Sequence, residues 1–228
     1  MSTVTPDKPV VIYPDSDGKP MSDNTLQFQW IVTIEGGLEA LFRDDPNVFV
    51  AGDLLWYPVE GDNTIRVAPD AMVVFGRPKG YRGSYRQWEE EGSAPHVVFE
   101  VLSPGNRTGE MINKFRFYER YGVEEYYLYD PDDPELGAWR RVGQSLEQIS
   151  DLPSWRSPRL GIRFDLSQGE LRIFGPDGRP FMTYVELAAQ RQAAEEAREH
   201  AQRDAREAAA RAERLAAKLR ELGVDPDK

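Results

Sequence analysis

The sequence predicts an α/β (α+β) domain with a mixed central sheet, followed by one long helix with coiled-coil character. Three observations predict it. Apolar strand-like runs alternate with helical patterns between residues 24 and 182, the pattern of a sheet covered by helices. One of those strands, His96 to Ser103, carries a carboxylate, Glu100, among Val97, Val98, Phe99, Val101 and Leu102. Thr183 to Leu222 contains no Gly or Pro and is dominated by Ala, Arg and Glu, which suits an uninterrupted helix.

In chain order, residues 1–23 are rich in Pro, Asp and Ser and read as a flexible N-terminal arm, with a short strand at Val10–Tyr13. "TLQFQWIVTIEGGLEALF", Thr25 to Phe42, reads as a helix interrupted at Gly36-Gly37. "NVFVAGDLLWYPV" and "TIRVAPDAMVVFG" read as two strands around the turn Glu60-Gly61-Asp62-Asn63. "GRPKGYRGSYRQWEEEGSAPH" has no periodicity and reads as a loop. The strand 96–103, a helix from Glu110 to Tyr121 and a strand at Glu125–Tyr129 follow. Pro131 to Gly143 reads as a loop leading into a short strand, and "LGIRFDLSQGELRIFGPDG" as a hairpin turning at Gln168-Gly169. These segments define a body, 24–182, and a helical tail, 183–228. In the tail Leu187, Ala194, Ala201, Ala208, Leu215 and Leu222 recur every seven residues. Ala205, Ala212 and Leu219 fill alternate positions of the seam, while Arg191 and Arg198 interrupt it. A coiled coil, a helix docked on the body and a solvated single helix all remain open.

Composition narrows the function. The chain has no cysteine and only His96 and His200, so disulfides and thiolate metal sites are excluded, a multi-histidine zinc site within one chain is not expected, and any metal should be a hard cation held by oxygen. No run of about 18 apolar residues suggests a membrane span, and no secretion signal is visible; a cytoplasmic protein is the expectation. Of the net charge of −11, residues 183–228 carry −1 and residues 1–182 carry −10. A protein that grips nucleic acid broadly is usually basic, so this acidity weighs against tight, extended DNA binding.

Burying an ionised carboxylate costs several kcal/mol unless a cation or hydrogen-bond donors compensate, so Glu100 needs a partner. Strand alternation puts Val98, Glu100 and Leu102 on one face. In "APDAMVVF", Asp70 follows Pro69 at the start of another apolar strand. If the two strands are neighbours, Asp70, Glu100 and a backbone carbonyl such as that of Val101 converge into a site for Mg²⁺, with Mn²⁺ as a substitute. On the following helix Met111, Lys114, Phe115, Tyr118 and Tyr121 share one side. Lys114 is thereby placed to reach Glu100 or a substrate oxygen, where it can stabilise developing charge or help deprotonate a metal-bound water. Each residue also has an ordinary reading: turn chemistry for Asp70, a solvated helix face for Lys114, an ion pair with an arginine for Glu100.

"APDAMVVFG", "PHVVFEVLSPGNRTGEMINKFRFYERYGVEEYYLYDP" and the Ala/Arg/Glu-rich tail resemble the Uma two family of restriction endonuclease-like proteins, within the PD-(D/E)XK nuclease superfamily. The resemblance covers roughly residues 25–180. It implies a restriction-endonuclease-like mixed sheet flanked by helices, with Asp70 and Glu100 as metal ligands. The superfamily's lysine stands two residues after the glutamate; Leu102 occupies that position here, and Lys114 matches a lysine moved to the following helix. The resemblance also implies a helical glutamate at the metal, for which Glu39 is the choice and Glu35 the rival. Tyr118 and Tyr126 match family positions and read as packing residues. Arg82 and Arg86, with Trp88 near them, lie in the loop between the acid-bearing strands and are candidates for a phosphate backbone, a solvated loop being the alternative.

The expected function is a Mg²⁺-dependent endonuclease that hydrolyses phosphodiester bonds in DNA, working as a homodimer so that both strands are cut. Two alternatives stay open. One is a catalytically silent nuclease fold serving as an oligomerising or partner-binding module. The other is a phosphodiesterase for RNA or a small molecule.

Overall fold

The computed structural model describes residues 11–18, 20–106 and 108–222. The chain divides into two compact units, Met1–Phe181 and Met182–Lys228.

The first unit opens on α1, Thr25–Leu41. Asn24 caps it, its side chain accepting from the Gln27 amide at 2.8 Å. Gly36-Gly37 does not interrupt this helix. Gly37 is needed for space, since a methyl there would overlap the Phe181 ring, whereas one at Gly36 would meet nothing within 4 Å. The central sheet contains β1 (Val48–Ala51), β3 (Ala71–Phe75), β5 (Val97–Val101), β6 (Glu125–Asp130), β7 (Glu135–Val142) and β8 (Ser145–Gln148), hydrogen-bonded in that order. All neighbours are antiparallel except β5 and β6. Parallel strands need a long crossover, and α2, Thr108–Tyr121, supplies it. Outside the sheet are a two-residue parallel pair, β2 (Trp56–Tyr57) with β4 (Tyr85–Arg86), and the antiparallel hairpin of β9 (Arg163–Asp165) with β10 (Arg172–Phe174). This is a mixed α/β fold with a six-stranded mixed sheet.

Alternation along the strands divides the core in two. Ala71, Val73, Val97, Phe99, Val101 and Tyr127 pack against Trp30, Ile31, Ile34 and Leu38 of α1. Met72, Val74, Val98 and Tyr126 pack against Tyr118 of α2 together with Trp56 and Tyr85. Glu100 shares the parity of Val98, so the only charged residue inside β5 points to the α2 side.

Three segments differ from expectation. Residues 135–142, expected as loop, form the longest strand of the sheet, because the 131–134 turn folds β7 back on β6 in a hairpin. Of the strand expected over 64–76 only Ala71–Phe75 joins the sheet, and Val67 forms a single bridge to Trp56. The described part of the N-terminal arm is tied down: the Tyr57 hydroxyl donates to the Pro14 carbonyl at 2.8 Å, and the Tyr13 ring packs 5.2 Å from the Tyr57 ring. Val11 to Tyr13 form no strand, and Val10 lies outside the described residues.

The second unit is α3, Tyr184–Glu221. Thr183 and Glu186 form a capping box, the Glu186 amide bonding the Thr183 hydroxyl at 3.2 Å and the Thr183 amide bonding the Glu186 carboxylate at 2.8 Å. The seam residues Leu187 and Leu215 are exposed. Among the described residues no helix is long and apolar enough to cross a membrane.

Candidate active site

Antiparallel pairing of β3 with β5 sets Ala71 opposite Phe99. One step further along the same register brings Asp70 opposite Glu100, so the strand start and the strand interior meet. Asp70 is 8% exposed and Glu100 2%. Asp70 Oδ2 accepts from the Val101 amide at 2.7 Å. Glu100 is held from α2 by two groups one helical turn apart: Lys114 Nζ lies 2.7 Å from Oε2, and the Tyr118 hydroxyl donates to Oε1.

The charges are coupled. Burial pushes the Asp70 carboxyl well above its usual range, and the Glu100 charge pushes it further, more than Lys114 and the Val101 amide pull it back. Burial alone would lower the Lys114 ammonium, but attraction to Glu100 and Asp70 outweighs it and leaves the pKa raised. Lys114 is therefore a firm cation at neutral pH, suited to stabilising negative charge and not to removing a proton.

Asp70 and Lys114 face a cavity of about 1020 Å³, with Glu100 behind them. Its wall is acidic: Asp17, Asp23, Asp53 and Glu110 join Asp70. Among the described residues Arg66 is the guanidinium in the wall, and its side chain also donates to the Asn63 carbonyl at 3.2 Å. Asp53 adopts a left-handed backbone (φ 48°), and its amide donates to the Pro69 carbonyl at 3.0 Å, next to Asp70. Burial raises the Asp53 pKa, with Asp17 and Glu100 adding to the rise and Lys114 opposing it. Neither Asp53 nor Arg66 belongs to a strand or helix, and no local pattern in the sequence singles them out.

The donor set fits a hard divalent cation. It is all oxygen, and a carboxylate driven toward neutrality by burial and by a second carboxylate is what such a cation relieves. The Val101 carbonyl already accepts from Gln27 Nε2 at 2.8 Å, which leaves it one lone pair. Among the described residues no three acidic or imidazole side chains form a metal cage by themselves. An ion here would complete its shell with waters or substrate oxygens, as Mg²⁺ commonly does.

Three other expected residues stand elsewhere. Glu39 is not in the cavity wall; it is ion-paired with Lys79 at 2.9 Å, half-exposed on α1. Its rival Glu35 lies nearer, since a methyl at Gly52 would meet both the Glu35 side chain and the Asp70 carbonyl at 3.3 Å, but it does not line the cavity either. Arg82 is committed to structure: it pairs with Glu90, donates to the Pro78 and Gly80 carbonyls, and stacks 3.9 Å from the centre of the Phe49 ring. Arg86 reaches Glu89 at 3.3 Å and covers the Tyr13 ring. Acids eight and three residues ahead pair with these two arginines, and neither arginine lines the cavity. Tyr118, expected as packing alone, also contacts the site through its hydroxyl.

Among solved structures, the chain is similar to a putative nuclease belonging to DUF820 from Anabaena variabilis ATCC 29413, at 17% identity over 63% of this chain and 78% of that one, with a TM-score of 0.45. No curated protein matches it. The Uma2 family, described as "Putative restriction endonuclease", matches residues 20–167. That span is more than half of the chain and contains Asp70, Glu100, Lys114 and the strands and helix that carry them, and the chain belongs to this family.

Proposed function

We propose that this protein is a Mg²⁺-dependent endonuclease that hydrolyses phosphodiester bonds in DNA. The observation that carries the reading is the juxtaposition of buried Asp70 and Glu100 across β3 and β5, with Lys114 bonded to Glu100 and facing the same cavity. Asp70 and Glu100 would hold the cation, with the Val101 carbonyl as a third oxygen. When bound, Mg²⁺ or Mn²⁺ supplies a more acidic water and neutralises charge on the scissile phosphate. Lys114, cationic at neutral pH, donates to a phosphate oxygen and stabilises the charge that grows there. Arg66 takes the phosphate-binding role first expected of Arg82 and Arg86. In the cytoplasm a homodimer joined along the α3 seam would present two such sites to a duplex.

A second reading, a silent nuclease fold acting as an oligomerising module, is favoured by the −10 charge of residues 1–182 and the acidic cavity wall. A titration of Mn²⁺ into wild type and Glu100→Gln, followed by calorimetry, separates them, together with cleavage assays on duplex DNA, single-stranded DNA and RNA. The nuclease reading expects DNA cleavage that requires the metal and a metal affinity at least about tenfold weaker in the variant. Metal binding indifferent to Glu100, with no cleavage of any substrate, supports the silent module. RNA cleaved in preference to DNA would replace the substrate.

The dimer has its own test. Leu187→Glu combined with Leu215→Glu in the full chain should convert a dimer to a monomer, read as mass in solution by light scattering. An unchanged dimer would move the interface to the body.

A further inference from the structure

We infer that Tyr118 is a positioning residue for Glu100, fixing the plane of its carboxylate behind Asp70 and Lys114 through the tyrosine hydroxyl. The inference rests on the reading of Asp70, Glu100 and Lys114 as the metal-dependent catalytic group.

A carboxylate held by one donor still swivels about its last bond; a second donor on the other oxygen stops it. Lys114 and Tyr118 are four residues apart on α2, so they project from the same side of the helix. Lys114 takes Oε2 and the tyrosine hydroxyl takes Oε1. The lysine is a flexible chain with a partly exposed side chain. The tyrosine is fully buried. Its ring is stacked parallel to Trp56 (6.4 Å, 1°), set edge-on to Phe117 (6.1 Å, 87°) and tilted on Tyr126 (5.2 Å, 48°). Full burial and three aromatic contacts hold the ring, and with it the hydroxyl, against the sheet. A packing residue at this position would be served equally well by phenylalanine. A buried phenol is tolerated where its hydroxyl meets an acceptor, and the acceptor here is the acid proposed to hold the metal.

The same cluster contains its own control. Tyr126 is 1% exposed, its ring packs on Tyr118, and among the described residues its hydroxyl has no hydrogen-bond partner. Removing the oxygen from Tyr126 therefore alters the same aromatic cluster and breaks no hydrogen bond to Glu100.

The experiment compares Tyr118→Phe with Tyr126→Phe in the full chain. Tyr118→Phe should weaken Mn²⁺ binding measured by calorimetry about tenfold and lower kcat for DNA cleavage by about 10–100-fold, with KM for DNA unchanged. Tyr126→Phe should leave both within about twofold of wild type. Two tyrosine variants that behave alike would overturn the inference, as would a loss confined to the melting temperature of Tyr118→Phe. If wild type neither binds Mn²⁺ nor cleaves nucleic acid, the nuclease reading fails first, and positioning is then read in metal-free protein from the ¹⁵N–¹H signal of the Lys114 ammonium. That signal should be sharp in wild type and Tyr126→Phe and broadened beyond detection in Tyr118→Phe; an unchanged signal in Tyr118→Phe removes the positioning role.

Discussion

Replacing Lys114 by methionine should lower the melting temperature by on the order of 10 °C and abolish DNA cleavage, and adding Glu100→Gln should restore most of the stability but none of the activity. Glu100 is 2% exposed and the Lys114 side chain 19%, so the pair is shielded from water and from salt on the acid's side. Removing one partner of a buried pair costs about 3–5 kcal/mol because the other charge is left uncompensated, and each kcal/mol shifts the midpoint of a chain this size by roughly 2–4 °C. In the single variant Tyr118 still bonds Oε1, but nothing replaces the cation at Oε2. In the double variant the glutamine carbonyl can accept from Tyr118 and position 100 no longer carries an uncompensated charge, while Asp70 loses the repulsion of Glu100 along with the attraction of Lys114. Thermal unfolding of wild type, both single variants and the double variant closes a thermodynamic cycle. A Lys114→Met protein melting within about 2 °C of wild type would mean that water already screens Glu100, and the account of this pair as a buried, high-stakes contact would be withdrawn. Activity that returned in the double variant would remove both residues from the chemistry.

How much of this was legible in the sequence follows from how local each signal is. Glu100 was visible because a carboxylate amid five apolar neighbours has few inexpensive explanations, and Lys114 because a 3.6-residue repeat places it beside the apolar stripe of its helix. Asp70 depended on the register between β3 and β5, which alternation constrains but does not fix. Asp53 and Arg66 were invisible: each reaches the cavity from an irregular segment, and only the folded path of the chain brings them to Asp70. The ion pairs of Arg82 and Arg86 were hidden for a different reason. The glutamates that neutralise them, Glu90 and Glu89, are close in sequence, but whether an acid eight residues ahead comes back to meet an arginine depends on the 3₁₀ turn at Gln87–Glu90. The strand at 135–142 was concealed by Pro131, Pro134 and Gly137, which read as loop punctuation. Gly137 instead makes room for the Trp139 ring, which a methyl there would meet at 2.5 Å. Gly36 and Gly37 show the same override: their helix penalty of about 1 kcal/mol each is offset by packing, at Gly37 against Phe181 and along α1 against the sheet.

Asp70→Asn should make the metal-free protein more stable while it removes at least about a hundredfold of the cleavage rate. Asparagine keeps the oxygen that accepts from the Val101 amide and drops a charge that is buried beside Glu100. Loss of that repulsion is expected to be worth about 1 kcal/mol, a rise of roughly 2–4 °C in Tm. The pH dependence has a definite sign. Asp70 binds its proton more tightly in the folded chain than in the unfolded one, because burial and Glu100 raise its pKa. That preference contributes stability that is fully present below the unfolded value of about 4 and is lost as pH rises through the folded pKa. Metal-free wild type should therefore lose stability relative to Asp70→Asn as pH is raised from about 4. Asp53 and Glu35 are also raised by burial and contribute slopes of the same sign to both proteins, so the difference between the two curves isolates Asp70. Mg²⁺ should reverse the order at neutral pH, stabilising wild type by binding the folded state and leaving Asp70→Asn where it was. Melting curves over the pH series, with and without Mg²⁺, measure all three terms. Should Asp70→Asn melt below wild type in the absence of metal, the carboxylate is serving the fold, and the repulsion with Glu100 is not what the site stores for a cation. A site built to hold a divalent ion is expected to be uncomfortable without one, and the two buried acids facing each other across β3 and β5 are where that discomfort can be measured.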